Sequence, residues 1–280
     1  MSDAKSIIDI FKDQLKKEET LPVLTPEAAQ IQELATSEDP DFKQFAYLIK
    51  RDPTLTGQIL KTANSPFYRG LGDVDTIEEA VIRLGQNEVV NITMKVIYKD
   101  KFKSTHPLVR TYQEKLWNHS VRCAIGCQWT VKYLAFETLY PKAFIAGLLH
   151  DMGQLYLLTA LERILQSKET DFNPPPPLID KILFNLHTSL GYSLLTKWHL
   201  PGQYRMIARD HHGDAYDQSD LLLLVVRLVN RVCQKLENRL PDEGIAGLAS
   251  SREADILGIS EIGVAELEIA LEDAHLKTMI

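Results

Sequence analysis

The segment AFIAGLLHDMGQLYLL, residues 143–158, constrains this chain more than any other stretch. It is long, apolar and flanked by helix formers, so it belongs in a helical interior. Its centre nevertheless carries His150 and Asp151. A carboxylate taken out of water is costly unless a cation or hydrogen bonds compensate it, so whatever core receives this segment must supply that compensation. Read alone, the pair allows two solutions. His150 and Asp151 hydrogen-bond locally, with Asp151 in a turn beside Gly153, or they hold a metal ion.

The rest of the chain repeats the helical signal. Ile7, Ile8, Phe11 and Leu15 form one stripe, and Thr25-Pro26-Glu27 reads as an N-cap with proline at the first helical position. Asp41 precedes the apolar set Phe42, Phe45, Leu48 and Ile49, and Asp75 with Glu78 has the spacing of a capping box ahead of a helix that stops at Gly85. LLLLVVRLV is long enough to prefer a buried helix, and no alternating run is bounded by Asn-Gly or Asp-Gly turns. The expected fold is all-α, a multi-helix bundle. KDKFKSTHPLVR interrupts the pattern near 100–107, giving an N-terminal helical part at 1–105 and a second bundle at 106–240. An extension over 241–280 ends in an amphipathic helix near 260–277 with Ile262, Val264, Leu267, Ala270 and Leu271. Pro174 to Pro177 are expected to form a surface polyproline turn rather than helix.

Charge and composition exclude several classes. The chain has 280 residues, 45% of them hydrophobic, enough for one large or two small domains. No run of about eighteen uncharged apolar residues suggests a membrane span, and the charged amphipathic start is unlike a signal peptide, so a cytoplasmic protein is expected. Basic and acidic groups balance at 29 each over 1–240, while 241–280 hold 2 and 9, which places the net charge of −7 in the C-terminal segment. No basic stripe marks a nucleic-acid surface; Lys95, Lys99, Lys101 and Lys103 read as a solvated face at a helix end, and the acidic tail as a solubility feature. Cys123, Cys127 and Cys233 lie in apolar helical contexts and read as reduced core thiols, although the spacing of Cys123 and Cys127 would also suit a metal. Trp117 and Trp198 read as packing residues, and His106, His199 and His275 as capping or surface histidines.

The remaining histidines form a series: LWNHS with His119, GLLHDMG with His150 and Asp151, LHTSLGYSLLTKWHLP with His187, and ARDHHG with His211 and His212. Imidazole and carboxylate hold divalent first-row metals. Together with RDPTLTGQILKTANSPFYRGLGDVDTIEEAVIRLGQNEVVNI, which includes Asn64-Ser65 and Ala80, Leu84 and Gly85, the series resembles the HD superfamily of metal-dependent phosphohydrolases, and more closely its HDOD branch of bacterial signalling domains. The resemblance spans roughly residues 20–236 and implies an HD-like helical core with an N-terminal helical subdomain. It also implies a metal set of His119, His150, Asp151, His187, His211, His212 and Asn230, the histidine pair being shared with the cyclic-dinucleotide phosphodiesterase branch.

Two positions depart from that pattern. Asn230 in VVRLVNRV stands where the superfamily has its last Asp, and Gln154 stands where a Lys is expected; of that branch's Gly-Tyr-Pro loop only Tyr216 remains. With Asp151 as the one matched carboxylate, two divalent ions on neutral imidazoles would leave a net charge of about +3. A neutral amide binds a hard cation more weakly than a carboxylate, and Gln154 offers phosphate no positive charge. The implied cofactor is one or two divalent transition-metal ions, Fe, Mn, Zn or Ni. The implied function is a regulatory signalling module with protein partners and little or no catalysis. The alternative is a metal-dependent phosphohydrolase or phosphodiesterase acting on a nucleotide or other phosphoester.

Overall fold

The computed structural model describes residues 24–68, 70, 72–167, 174–239 and 244–278, and these contain helices and no strand. The expected N-terminal stripe at Ile7 to Leu15 lies outside them. The chain divides into two compact units: one of Val23–Lys101 with Trp198–Pro201, the other of Phe102–Lys197 with the segment from Gly202 onward.

The smaller unit contains α1 (Pro26–Thr36), α2 (Phe42–Arg51), α3 (Pro53–Ala63), α4 (Ile77–Leu84) and α5 (Gln86–Lys99). Side chains start the first four helices. Thr25 accepts the Ala28 N–H, Asp41 those of Lys43 and Gln44, and Asp52 those of Thr54 and Leu55, each such cap stabilising by about 1 kcal/mol. The capping box of α4 lies one residue later than the sequence spacing suggests: Thr76 caps, and Glu79 receives the N–H groups of Asp75 and Thr76. Both registers offer an oxygen at N-cap and a glutamate at N3, and the extended backbone at Thr76 selects the second. Gly85, at φ 82°, ends α4 and begins α5, a conformation that favours glycine. Asn64 pins the loop after α3, donating to the Val74 carbonyl and accepting its N–H, both at 2.8 Å. Lys95 is half-buried on α5 rather than on a solvated face, and burial lowers its pKa against the opposing charge of Glu88.

The larger unit contains α6 (Pro107–Tyr133), α7 (Tyr140–Leu149), α8 (Met152–Gln166), α9 (Pro176–Lys197), α10 (Gly202–Asp210), α11 (Leu221–Leu236), α12 (Gly244–Ala249), α13 (Arg252–Leu257) and α14 (Glu261–Thr278). The 27-residue α6 packs against α7, α8, α11 and α14, and α9 packs against α8 and α10. α11 buries Leu222 to Val226, Leu228, Val229 and Val232, each contributing about 1.5–3 kcal/mol. The proline run differs from expectation: Pro176 and Pro177 form the first turn of α9. N–H groups there have no intrahelical acceptor, so proline loses nothing and its fixed φ suits the helix. Trp117 packs edge-on against Phe102, with ring centres 5.2 Å apart.

The acidic C-terminal segment is also built into this unit. Glu253 is only 4% exposed and accepts from Arg227 at 2.7 Å, while Lys235 pairs with Glu268 at 2.7 Å. Val264, Leu267 and Leu271 of α14 are buried, whereas Ile262 faces solvent; the side chain of His275 lies outside the described residues. The stretch Glu137–Gln166 is apolar enough in composition to cross a membrane, and 94% of its most apolar window is buried inside the protein.

Candidate metal centre

The apolar segment 143–158 does not form one helix. His150 ends α7, Asp151 begins α8, and the chain turns between them. The turn is held by close packing. A Cβ on Gly153 would lie 1.8 Å from the His187 carbonyl oxygen, so glycine alone lets α8 cross α9 at this depth. Gly147 is equally confined, since a Cβ there would meet the Cys123 carbonyl oxygen of α6 at 2.6 Å.

Asp151 stands at the centre, 1% exposed, and its two oxygens divide the histidines. His119 and His150 each place Nε2 3.5 Å from Oδ2. His187 and His211 each place Nε2 3.3 Å from Oδ1 and lie 3.2 Å apart. His212 packs at a tilt against His211 with ring centres 4.3 Å apart, and its Nε2 is 3.5 Å from the Asn230 amide nitrogen. All seven residues of the expected set therefore gather in one region, with Asn230 on the His212 side.

The outer nitrogens define the tautomers. The Nδ1–H of His150 donates to the Gly147 carbonyl at 2.8 Å, that of His187 to Leu183 and Phe184, and that of His211 to Ile207 and Ala208. A carbonyl can only accept, so Nδ1 of each ring carries a proton and Nε2 turns inward. His119 does the same through Glu237, whose two oxygens both lie 3.1 Å from Nδ1. Burial pushes His150 down to about 3 and His212 to about 2, and it also lowers His187, so these rings are neutral at pH 7. Burial would raise Asp151, but the surrounding polar groups, His150 first, outweigh it and hold the carboxyl well below its ordinary value.

Lone pairs thus face an anion. His150 Nε2, Asp151 Oδ1 and Asn230 Oδ1 are buried without a hydrogen-bond partner, and such orphaned atoms each cost about 1–3 kcal/mol. Divalent cations bound on the two sides of Asp151 would give these atoms partners. Asp151, His187, His211 and His212 form one group able to hold a metal ion, and His119, Cys123 and His150 form another. The residues present fit such a group.

A family model for the HDOD domain matches residues 21–213, more than half of the chain. The chain belongs to the HDOD family. It is 26% identical over 248 residues to an uncharacterized protein of Treponema pallidum (strain Nichols), covering 86% of this chain but 46% of that one, so it spans less than half of that relative. Among solved structures, it resembles an HDOD domain protein of unknown function from Geobacter sulfurreducens with a TM-score of 0.74 and 20% identity, covering 96% of both chains. A protein from Shewanella amazonensis SB2B, provisionally named a metal-dependent phosphohydrolase, aligns with a TM-score of 0.65 and 20% identity over 94% of this chain and 98% of that one. These two likenesses establish the fold.

Within this HDOD chain, Gln154 donates to Asp151 Oδ2 at 2.7 Å, occupying one lone pair of the central carboxylate. Sequence reasoning missed Glu237. It is the C-cap of α11, distant in sequence from His119 and without a motif to mark it. Burial raises its pKa, but His119, Arg239 and Arg122 outweigh that and keep it anionic. Asp151 is therefore not the only carboxylate serving the cluster, and Glu237 reduces the charge excess expected from the sequence. Also unread was Arg227. It donates to the carbonyls of Asp210 and Gly213, bracketing His211 and His212, and lies 3.7 Å above the Tyr216 ring. Beside the centre, a cavity of about 800 Å³ is lined by Lys115, Arg122, Arg239, Phe184, His187 and His212.

Proposed function

We propose that this HDOD protein is a regulatory module whose His/Asp centre binds one or two divalent transition-metal ions, with little or no phosphoester turnover. The observation carrying the reading is the set of four imidazoles whose Nδ1 atoms are engaged outward while their Nε2 atoms meet on Asp151. Outer partners of this kind orient metal-binding histidines and fix their tautomer. The name of the Shewanella relative is consistent with a metal at such a site.

Bound here, a divalent ion would polarise a phosphoryl oxygen and acidify its water. The chain's own groups would support that chemistry weakly. Gln154 is turned to Asp151 and brings no cation to a phosphate, and Asn230 supplies a neutral amide. Loss of such electrostatic groups is worth a few kcal/mol each in the transition state. The module would signal through protein partners, with the cavity taking a nucleotide or phosphate ligand. Hydrolysis is the second reading, favoured by that cavity opening beside His187 and His212 with Lys115 and Arg122 on its wall.

Turnover of cyclic dinucleotides, nucleoside phosphates and a generic phosphoester by metal-loaded protein decides between them. The regulatory reading expects none approaching ~1 per second, and expects Gln154→Lys with Asn230→Asp to raise whatever rate exists. Wild-type turnover at ordinary enzyme rates would overturn it.

A further inference from the structure

On the His119 side of Asp151 stands a residue absent from the HD pattern. Cys123 lies one helical turn beyond His119 on α6, fully buried, with Sγ 3.5 Å from His119 Nε2. One donor atom each from His119, Cys123 and His150 falls within 4.8 Å of the others. His150 Nε2, aimed at this point, is buried and unpartnered. The confined Gly147 brings α7 down onto the backbone of Cys123 and Ala124, so the approach is built into the helix crossing.

The spacing suits coordination. A tetrahedral ion bound to thiolate at ~2.3 Å and to imidazole at 2.0–2.1 Å sets sulfur and nitrogen about 3.6 Å apart, and imidazole and carboxylate about 3.4 Å apart. The observed separations are 3.5 Å for Cys123 to His119 and 3.5 Å for each of His119 and His150 to Asp151 Oδ2.

We propose that Cys123 is a protein ligand of the metal held by His119, His150 and Asp151, making a centre of two imidazoles, one carboxylate and one thiolate. This rests on the metal reading above. Binding exchanges the S–H bond for a metal–sulfur bond and releases the proton to solvent, with no change of oxidation state. The thiolate supplies the negative charge that Asn230 lacks. A soft ligand narrows the metal to thiophilic ions such as Zn²⁺ or Fe²⁺ and disfavours Mg²⁺ and Mn²⁺. Cys127 stands outside the His119, Cys123 and His150 group and serves as an internal control.

Co²⁺ added to metal-stripped protein should give visible ligand-field bands together with a near-ultraviolet thiolate-to-cobalt band. Cys123→Ser should abolish the near-ultraviolet band and weaken Co²⁺ binding by at least about tenfold, whereas Cys127→Ser keeps the band. X-ray absorption of zinc-loaded wild-type protein provides a measurement independent of any variant, and should contain a sulfur shell at ~2.3 Å. A band that survives Cys123→Ser, or a zinc shell of nitrogen and oxygen alone, overturns the thiolate ligand and leaves the His/Asp centre standing. Failure to bind Co²⁺ or Zn²⁺ at all overturns both.

Discussion

Two buried polar clusters in this protein differ in one respect, and the difference identifies the centre. In the smaller unit, Gln32 is 2% exposed; its amide donates to the Trp198 carbonyl at 2.8 Å and its oxygen accepts the Tyr98 hydroxyl at 2.6 Å. Tyr98 and Trp198 stack with ring centres 5.5 Å apart, and both ends of the Gln32 amide are satisfied. Around Asp151 the outer hydrogen bonds are closed just as carefully, but the inner atoms of His150, Asp151 and Asn230 are left without partners. The first arrangement is what a core does with polar groups when their role is packing and specificity. The second is a core that holds its polar atoms ready for a cation.

The largest expected effect comes from the crossing that carries the open cluster. Gly153→Ala places a methyl group where the His187 carbonyl oxygen would be 1.8 Å away, so α8 and α9 must separate, at a cost of more than about 3 kcal/mol. Chemical denaturation should register that loss, and the variant should also fail to retain metal. A stable, metal-binding Gly153→Ala would mean the crossing is looser than described.

Asp151→Ala should lose bound metal and about 3 kcal/mol of stability, because it removes the anion on which both halves of the centre meet. Calorimetry with and without chelator separates the contributions: wild type should lose melting temperature on metal removal, and the variant should not respond. Equal chelator sensitivity in both proteins would break the comparison.

For the closed cluster, Gln32→Leu removes the hydrogen bonds to the Trp198 carbonyl and from the Tyr98 hydroxyl and should cost about 2 kcal/mol. Its metal content should match wild type. Metal loss in this variant would show that the two clusters are not the separate devices described.

The smallest effect distinguishes the clusters by pH. His150 has a pKa of about 3 in the folded protein against an ordinary 6.5, so the unfolded chain takes up a proton that the folded chain refuses. The sign is therefore that metal-free protein loses stability as pH falls from 6.5 towards 3, by about 1 kcal/mol from this residue at one unit below 6.5. His212 acts in the same direction. Gln32 carries no titratable group, so the Gln32→Leu increment should stay flat while total stability falls. Metal-free stability that is constant from pH 7 to pH 4 would contradict neutral, inward-facing rings.

Much of this was readable from residue order, and the rest was not for identifiable reasons. The helical period, the caps at Thr25 and Asp41 and the series from His119 to His212 are local signals, and they led to an all-α fold and to residues that do gather in space. Glu237 was invisible because the partner of a ligand is selected by tertiary approach, here 118 residues from His119. The capping box was displaced by one residue because two neighbouring registers share the same side-chain chemistry. The C-terminal charge count suggested a solubility feature, yet counting cannot tell an exposed glutamate from Glu253, which is buried against Arg227. The turn at Asp151 was one of two readings the pair allowed, and the apolar run around it could not decide between them, since burial on both sides of a turn leaves no polar boundary.

The most direct test of the open cluster is anomalous diffraction from a crystal of protein purified without added metal, recorded across the absorption edges of iron, nickel and zinc. The account predicts a peak within coordination distance, about 2.0–2.3 Å, of His119 Nε2, His150 Nε2 and Asp151, with a second peak on the His187 and His211 side if two ions bind. No anomalous peak among these residues, together with less than about a tenth of an equivalent of any transition metal in solution, would contradict it.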